Sequence, residues 1–282
     1  MPANEKSADR VGIIAGAGPL PFIVAEGAAA RGLEVAVAGL EGIASPELPS
    51  RCEVFTSIEP GELGACIEFF RISSVREVLL CGQIDHSQVF AVKRPDELMR
   101  SVLAEADKRA EKLLGRIADA IEEHGLPVGD IRGYLGRHLA GEGTLGQVEP
   151  SDEILRDLEF AWPLALRFVE LNIGQALVVR GGVVLAAEAL EGTDGMIRRA
   201  AELPGGAGRR ATVIKLPLKN KDPRFDLPVI GIDTVRAMAD VGASLLVVAA
   251  GQTIIVDRPD VFTEAADSAG IAVFGRCLPG DN

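Results

Sequence analysis

A basic charge balance, a cysteine framework and a long apolar run are all missing from this chain of 282 residues, and each absence removes a class of function. Lys and Arg number 29 against 41 Asp and Glu, a net charge of −12. Such a chain repels phosphate backbones and anionic lipid surfaces unless positive charge is gathered locally, so no nucleic-acid partner is expected. Its four cysteines, Cys52, Cys66, Cys81 and Cys277, show no C-x-x-C spacing, and four in this length are no disulfide scaffold. A reducing setting is expected. The best membrane candidate, Leu245–Val256, contains Gly251 and Gln252 and falls well short of the roughly 20 residues a spanning helix needs. Near the N-terminus, Lys6 and Arg10 precede apolar Val11–Ala17, but Glu5 and Asp9 offset them and Gly16, Gly18, Pro19 and Pro21 break the run. That stretch reads as a first strand and its turn, not a secretion signal. The three histidines, His86, His124 and His138, give no H-E-x-x-H spacing, and neither G-x-S-x-G nor a P-loop lysine motif occurs.

What is present is a globular composition, 48% hydrophobic and 25% charged, long enough for two domains. Short aliphatic runs alternate with helical patterns: Val11–Ala15, a helix through Ala30, Glu34–Leu40, Glu53–Ser57, a helix near Gly61–Arg71, Glu77–Gly82, and a charged helical stretch from Pro95 to about Glu123. Continuously apolar strands separated by helices predict a Rossmann-like parallel sheet covered on both faces. A glycine-rich stretch without a clear period, residues 139–150, is read as the linker between an N-terminal domain, 1–140, and a C-terminal α/β domain, 150–282. The second half repeats the alternation, from a helix at Ser151–Leu171 to a last strand at Ile271–Phe274.

Four segments carry candidate chemistry. In the first βα turn, Gly16 and Gly18 would let a ligand approach the backbone, and the next helix would aim its N-terminus at a phosphate. Pro21 stands where the dinucleotide fingerprint wants its third glycine, while Glu41 falls where an acid holding a ribose hydroxyl is expected, so the kind of nucleotide stays open. At a later strand end, Gln83 is a candidate for reading a base edge and Asp85 for a sugar or a metal. Glu188, Thr193 and Asp194 lead from a strand into a helix. Thr193 or Asp194 as an N-cap accounts for much of this; the alternative is an anion site with acids for sugar hydroxyls.

Between Lys215 and Asp226 stand four basic residues and two acids, within a chain of the opposite sign. Prolines stiffen this loop and push their preceding residues to extended geometry, and if 222–226 is extended then Asp222, Arg224 and Asp226 project to one side and Phe225 to the other. A carboxylate beside Lys and Arg suits phosphoryl chemistry with Mg²⁺; a solvated turn with surface ion pairs is the plainer reading. Phe160, Trp162 and Phe168 concentrate aromatics on one helix, as core packing or, alternatively, a groove for an apolar ligand.

The ordered set GIIAGAGPLP at Gly12–Pro21, CGQID at Cys81–Asp85, EALEGTDGMI at Glu188–Ile197 and KNKDPRFDLPVIGIDT at Lys219–Thr234 resembles the LpxI family, the UDP-2,3-diacylglucosamine pyrophosphatases of lipid A biosynthesis. The resemblance runs from about Val11 to Arg276. It implies a Mg²⁺-dependent hydrolase that converts its substrate to UMP and 2,3-diacylglucosamine 1-phosphate, lipid X, by attack of water on the β-phosphorus. It further implies two α/β domains, with 1–140 expected to bind the nucleotide and 150–282 to be catalytic and lipid-binding, the substrate in a cleft between them, a homodimer, and work at the cytoplasmic face of the inner membrane. By this similarity the essential aspartate falls on Asp226, as metal ligand or water orienter. Lys215 and Arg224 are then expected to stabilise developing charge, Gly16, Gly18, Gln83 and Asp85 to face the nucleotide, and Glu188, Thr193, Asp194, Lys219 and Asp222 to bind the rest of the substrate. A nicotinamide-dependent oxidoreductase and a non-catalytic nucleotide sensor are the competing readings.

Overall fold

A computed structural model describes residues 9–84, 92, 94–105, 110–203, 210–219, 222, 224 and 226–280. The chain divides into two compact units, one of Met1–Gly136 with Asp222–Phe225, the other of Arg137–Lys221 with Asp226–Asn282.

Four strands build the first unit: β1 (Arg10–Ala15), β2 (Glu34–Leu40), β3 (Val54–Ile58) and β4 (Val78–Cys81), in the order β3-β2-β1-β4 and all parallel. The connections are α1 (Leu20–Ala30), α2 (Leu48–Arg51) with β3 after it, and α3 (Leu63–Ile72); α4 (Glu97–Glu105) and α5 (Ala110–Glu123) follow β4. This is the strand order of a mononucleotide-binding Rossmann half, in which the order reverses between β1 and β4. Alternation sorts the side chains: Val11, Ile13 and Ala15 of β1 are buried, and Phe70 and Ile67 of α3 close one face against β2 and β4. α1 seats closely on the 3₁₀ turn Ile131–Tyr134 because Gly27 has no side chain; a Cβ there would stand 1.7 Å from the Tyr134 carbonyl oxygen.

The second unit carries a six-stranded mixed sheet, β5 (Gly143–Thr144), β6 (Ala176–Arg180), β7 (Val183–Ala187), β8 (Thr212–Lys215), β10 (Leu245–Ala249) and β12 (Ala272–Arg276), in the order β5-β12-β10-β8-β6-β7. A small parallel pair, β9 (Val229–Ile230) with β11 (Ile254–Ile255), lies outside it. Helix α6 (Asp152–Glu170) covers one face, through Leu158 and Trp162 against Leu177, Ile214 and Val247. Helices α7 (Gly192–Glu202), α8 (Ile232–Asp240) and α9 (Pro259–Ser268) cover the other, through Met196, Met238 and Phe262 against Val213 and Leu246. The sheet is thus sandwiched, which explains why β10 reads as an unbroken apolar run and why β8, Thr-Val-Ile-Lys, is buried throughout. Trp162 belongs to this core: it is buried, with the Arg276 guanidinium 4.8 Å above its ring.

The glycine-rich segment 139–150, expected as a linker, is built into the second unit. Ala140 is buried and exchanges hydrogen bonds with Thr253 and Gly251, and β5 pairs antiparallel with β12. The close fit is made by Gly275 and Gly146: a Cβ on Gly275 would meet the Gly141 carbonyl oxygen at 1.8 Å, and one on Gly146 the Asp267 Oδ1 at 2.5 Å. Among the described residues, no helix is long and apolar enough to cross a membrane.

Candidate active site

In the second unit, the carboxyl ends of β7 and β8 and the start of β6 meet at one edge of the sheet, because β7 and β8 run the same way and β6 runs against both. Lys215 ends β8 there, only 8% exposed, and its Nζ donates to the carbonyl oxygen of Val229 at 2.8 Å. Glu188 follows β7 and is equally buried. Its Oε1 accepts from the Thr193 hydroxyl at 2.9 Å and its Oε2 from the Gln175 backbone N–H at 3.0 Å. A buried ammonium and a buried carboxylate thus share one strand edge, each hydrogen-bonded, as burial of charge requires. Loss of water holds the Lys215 ammonium below the usual lysine range, while Glu188 and Asp194 pull it back up.

Thr193 and Asp194 lie in the first turn of α7, whose N-cap is Glu191 and has no side-chain cap bond. The Thr193 hydroxyl is therefore spent on Glu188 and not on capping its helix, which sets aside the plainer expectation for that residue. Asp226 is partly buried and stands three residues before Val229, whose carbonyl holds Lys215.

Farther back in the same loop, Asp222 and Arg224 count with the first unit. The Arg224 Nε lies 2.9 Å from both Asp222 oxygens, its backbone N–H donates to the same carboxylate at 3.0 Å, and its NH1 reaches Glu122 Oε1 at 2.7 Å. Hydrogen bonding to Asp222 raises the Arg224 pKa, and Arg224 in turn lowers that of Asp222. Lys219 is exposed and donates to Glu170 at 2.6 Å. Arg224 and Lys219 are consequently each paired with an acid from elsewhere in the chain, Glu122 and Glu170. Asp222 and Arg224 are bound to each other, the Asp222 carboxylate accepting from the Arg224 backbone N–H in an Asx-type bond as well as from its guanidinium.

In the first unit the turn after β1 and the loop after β4 close on each other. Ala17 and Gln83 exchange backbone hydrogen bonds at 2.8 and 2.9 Å, and Gly16 lies against Gly82 and Gln83. A Cβ on Gly16 would stand 2.7 Å from the Gln83 carbonyl oxygen, so this glycine permits contact between two loops of the protein and is not open to a ligand. Gly18, with φ +85° and nothing within 4 Å of a Cβ, and the exposed Gln83 remain accessible. α1 offers few donors, since Pro19 and Pro21 lack N–H groups and Phe22 N–H is bonded to the Pro19 carbonyl. Asp85 lies outside the described residues, as do His86, Asn220, Lys221 and Phe225.

The structure therefore brings Lys215, Glu188, Thr193 and Asp194 together within the second unit, while Asp222 and Arg224 count with the first. Sequence reasoning missed Glu122, Glu170 and the Val229 carbonyl, the partners that fix Arg224, Lys219 and Lys215; the two acids sit on ordinary helical surfaces and carry no local signal. Among the described residues, no three His, Cys, Asp or Glu side chains cluster as a metal site would require.

The profile described as the LpxI N-terminal domain matches residues 10–137, and that of the LpxI C-terminal domain matches residues 141–274. A protein of Caulobacter vibrioides named UDP-2,3-diacylglucosamine pyrophosphatase LpxI is 35% identical over 275 residues, covering 94% of this chain and 97% of that protein.

Proposed function

Since the chain belongs to the LpxI family, we propose that it hydrolyses UDP-2,3-diacylglucosamine in lipid A biosynthesis, releasing UMP and 2,3-diacylglucosamine 1-phosphate. Water adds to the β-phosphorus, the bond from that phosphorus to the bridging oxygen breaks, and the electron pair leaves on UMP. The buried Lys215 at the edge of β8 carries this reading. An ammonium held in a water-poor site stabilises charge developing on a phosphoryl oxygen more strongly than one in bulk water. Glu188 keeps that ammonium charged, and Thr193 holds Glu188 in place.

Asp226 is assigned the orientation of the attacking water and the binding of Mg²⁺. Mg²⁺ needs only one or two protein carboxylates when phosphate oxygens and waters complete its octahedron. One acid beside a diphosphate fits that demand. When bound, the cation supplies charge neutralisation on the diphosphate. Gly18 and Gln83 are assigned to the uridine diphosphate, and Asp194 and Lys219 to the remainder of the substrate. The enzyme is further proposed to act as a homodimer at the cytoplasmic surface of the inner membrane, where an amphiphilic substrate resides.

Hydrolysis in ¹⁸O water with and without Mg²⁺, followed by phosphorus NMR, tests the scheme. Label in 2,3-diacylglucosamine 1-phosphate and a requirement for Mg²⁺ are expected; label in UMP overturns the placement of the attack, and full activity in a chelator overturns the cation.

A further inference from the structure

The first unit contains an open pocket of about 100 Å³ at the carboxyl ends of its strands. Ile14 of β1, Leu40 at the end of β2, Ile58 at the end of β3 and Leu80 of β4 form its floor, and Met99 of α4 and Ile117 of α5 stand over it. In open α/β sheets this edge is where ligands bind. A nucleotide's phosphates are poorly served here, because the lining is overwhelmingly apolar and its charged members are two acids, Glu59 and Glu62, Glu59 being exposed at the rim. Apolar cavities exclude water and accept hydrocarbon.

We propose that this pocket binds the end of one acyl chain of the diacylated substrate, an assignment that rests on the hydrolase reading above. A space of this size, smaller than the roughly 150 Å³ cavity that takes up benzene, holds a few carbon atoms, the end of a hydrocarbon chain. The acidic rim repels carboxylate and phosphate alike, so a chain in ester or amide linkage is preferred to a free fatty-acid anion. Trp162 itself is core and does not line such a space.

The test uses the full-length protein and UDP-2,3-diacylglucosamine with a diazirine near the end of one acyl chain. After illumination, mass spectrometry is expected to find the label on peptides containing Leu40, Ile58, Met99 or Ile117. Ile117→Trp, which fills the pocket, is expected to cut that labelling at least tenfold and to raise KM about tenfold for long-chain substrate while leaving a short-chain analogue unchanged. A diazirine fatty acid is expected to label the same peptides at least tenfold less. Labelling concentrated in other segments, or undiminished in a folded Ile117→Trp, overturns the pocket; if that variant does not fold, the label map of the wild-type protein decides. Turnover is followed in the same samples: a wild-type protein that labels in the pocket but never releases UMP sinks the hydrolase reading alone, and one that turns over but labels elsewhere sinks the pocket alone.

Discussion

The Thr193 hydroxyl donates to Glu188 Oε1 across 2.9 Å, tying the first turn of α7 to the end of β7 beside the buried Lys215. Thr193→Val removes the donor and leaves a buried carboxylate oxygen one partner short, a loss of about 1–3 kcal/mol in denaturant unfolding. Glu188→Gln behaves differently. Its amide oxygen still accepts from the Gln175 N–H, and the Thr193 hydroxyl turns to accept from the amide nitrogen, so the fold is kept. The charge that props up Lys215 is gone, however, and the alkaline limb of kcat moves to lower pH. An unmoved limb would show that Lys215 does not set it.

Lys215 also writes itself into stability. Burial lowers its folded pKa, so between that value and the ordinary lysine range the unfolded chain binds more protons than the folded one. Stability therefore rises with pH through that window, and the desolvation cost is fully present below it. Unfolding of Lys215→Met, measured across pH beside the wild type, should lack this rise. The same variant should lose about 10²–10³ in kcat, the scale of deleting one donor to a developing oxyanion.

Asp226→Asn preserves shape and removes charge. A drop of about 10²–10⁴ in kcat with a small change in KM is expected from loss of the water-orienting group, read by phosphorus NMR of UMP release. A variant with wild-type kcat would remove Asp226 from the chemistry.

Gly16 and Gly18 separate two uses of glycine in one turn. Gly16→Ala drives a methyl to 2.7 Å from the backbone oxygen of Gln83 and should cost about 1–3 kcal/mol by overpacking. Gly18→Ala enters open space and suffers only from φ +85°, a cost of about 1–2 kcal/mol. With nucleotide bound at Gly18, the second substitution weakens substrate affinity as well, whereas the first acts through stability. Thermal unfolding beside KM resolves the two.

Much of the alternation was legible because strand and helix periods are local properties: β1, α1 and β2 lie where apolar runs and Pro-opened helices place them, and a parallel sheet follows from strands apolar on both faces. The residues 139–150 misled because glycine marks flexibility and close packing alike, and only the strand beside Gly275 tells which applies. The loop from Lys215 to Asp226 misled in a second way. Its excess of positive charge was counted along the chain, whereas Glu122 and Glu170, which offset it, arrive through space from α5 and α6.

Amino-acid order alone determined the alternation of strand and helix, the net negative charge, and the motif set that marks the family, since periods and motifs depend on neighbours within a few positions and charge is a plain sum over the chain. Tertiary structure decided that Gly16 meets Gly82 and not a ligand, that Lys215 is buried while Arg224 is neutralised, and that hydrocarbon-lined space opens at the sheet edge of the first unit. Those outcomes turn on desolvation and on contacts between residues far apart in sequence, and both exist only once the chain has folded.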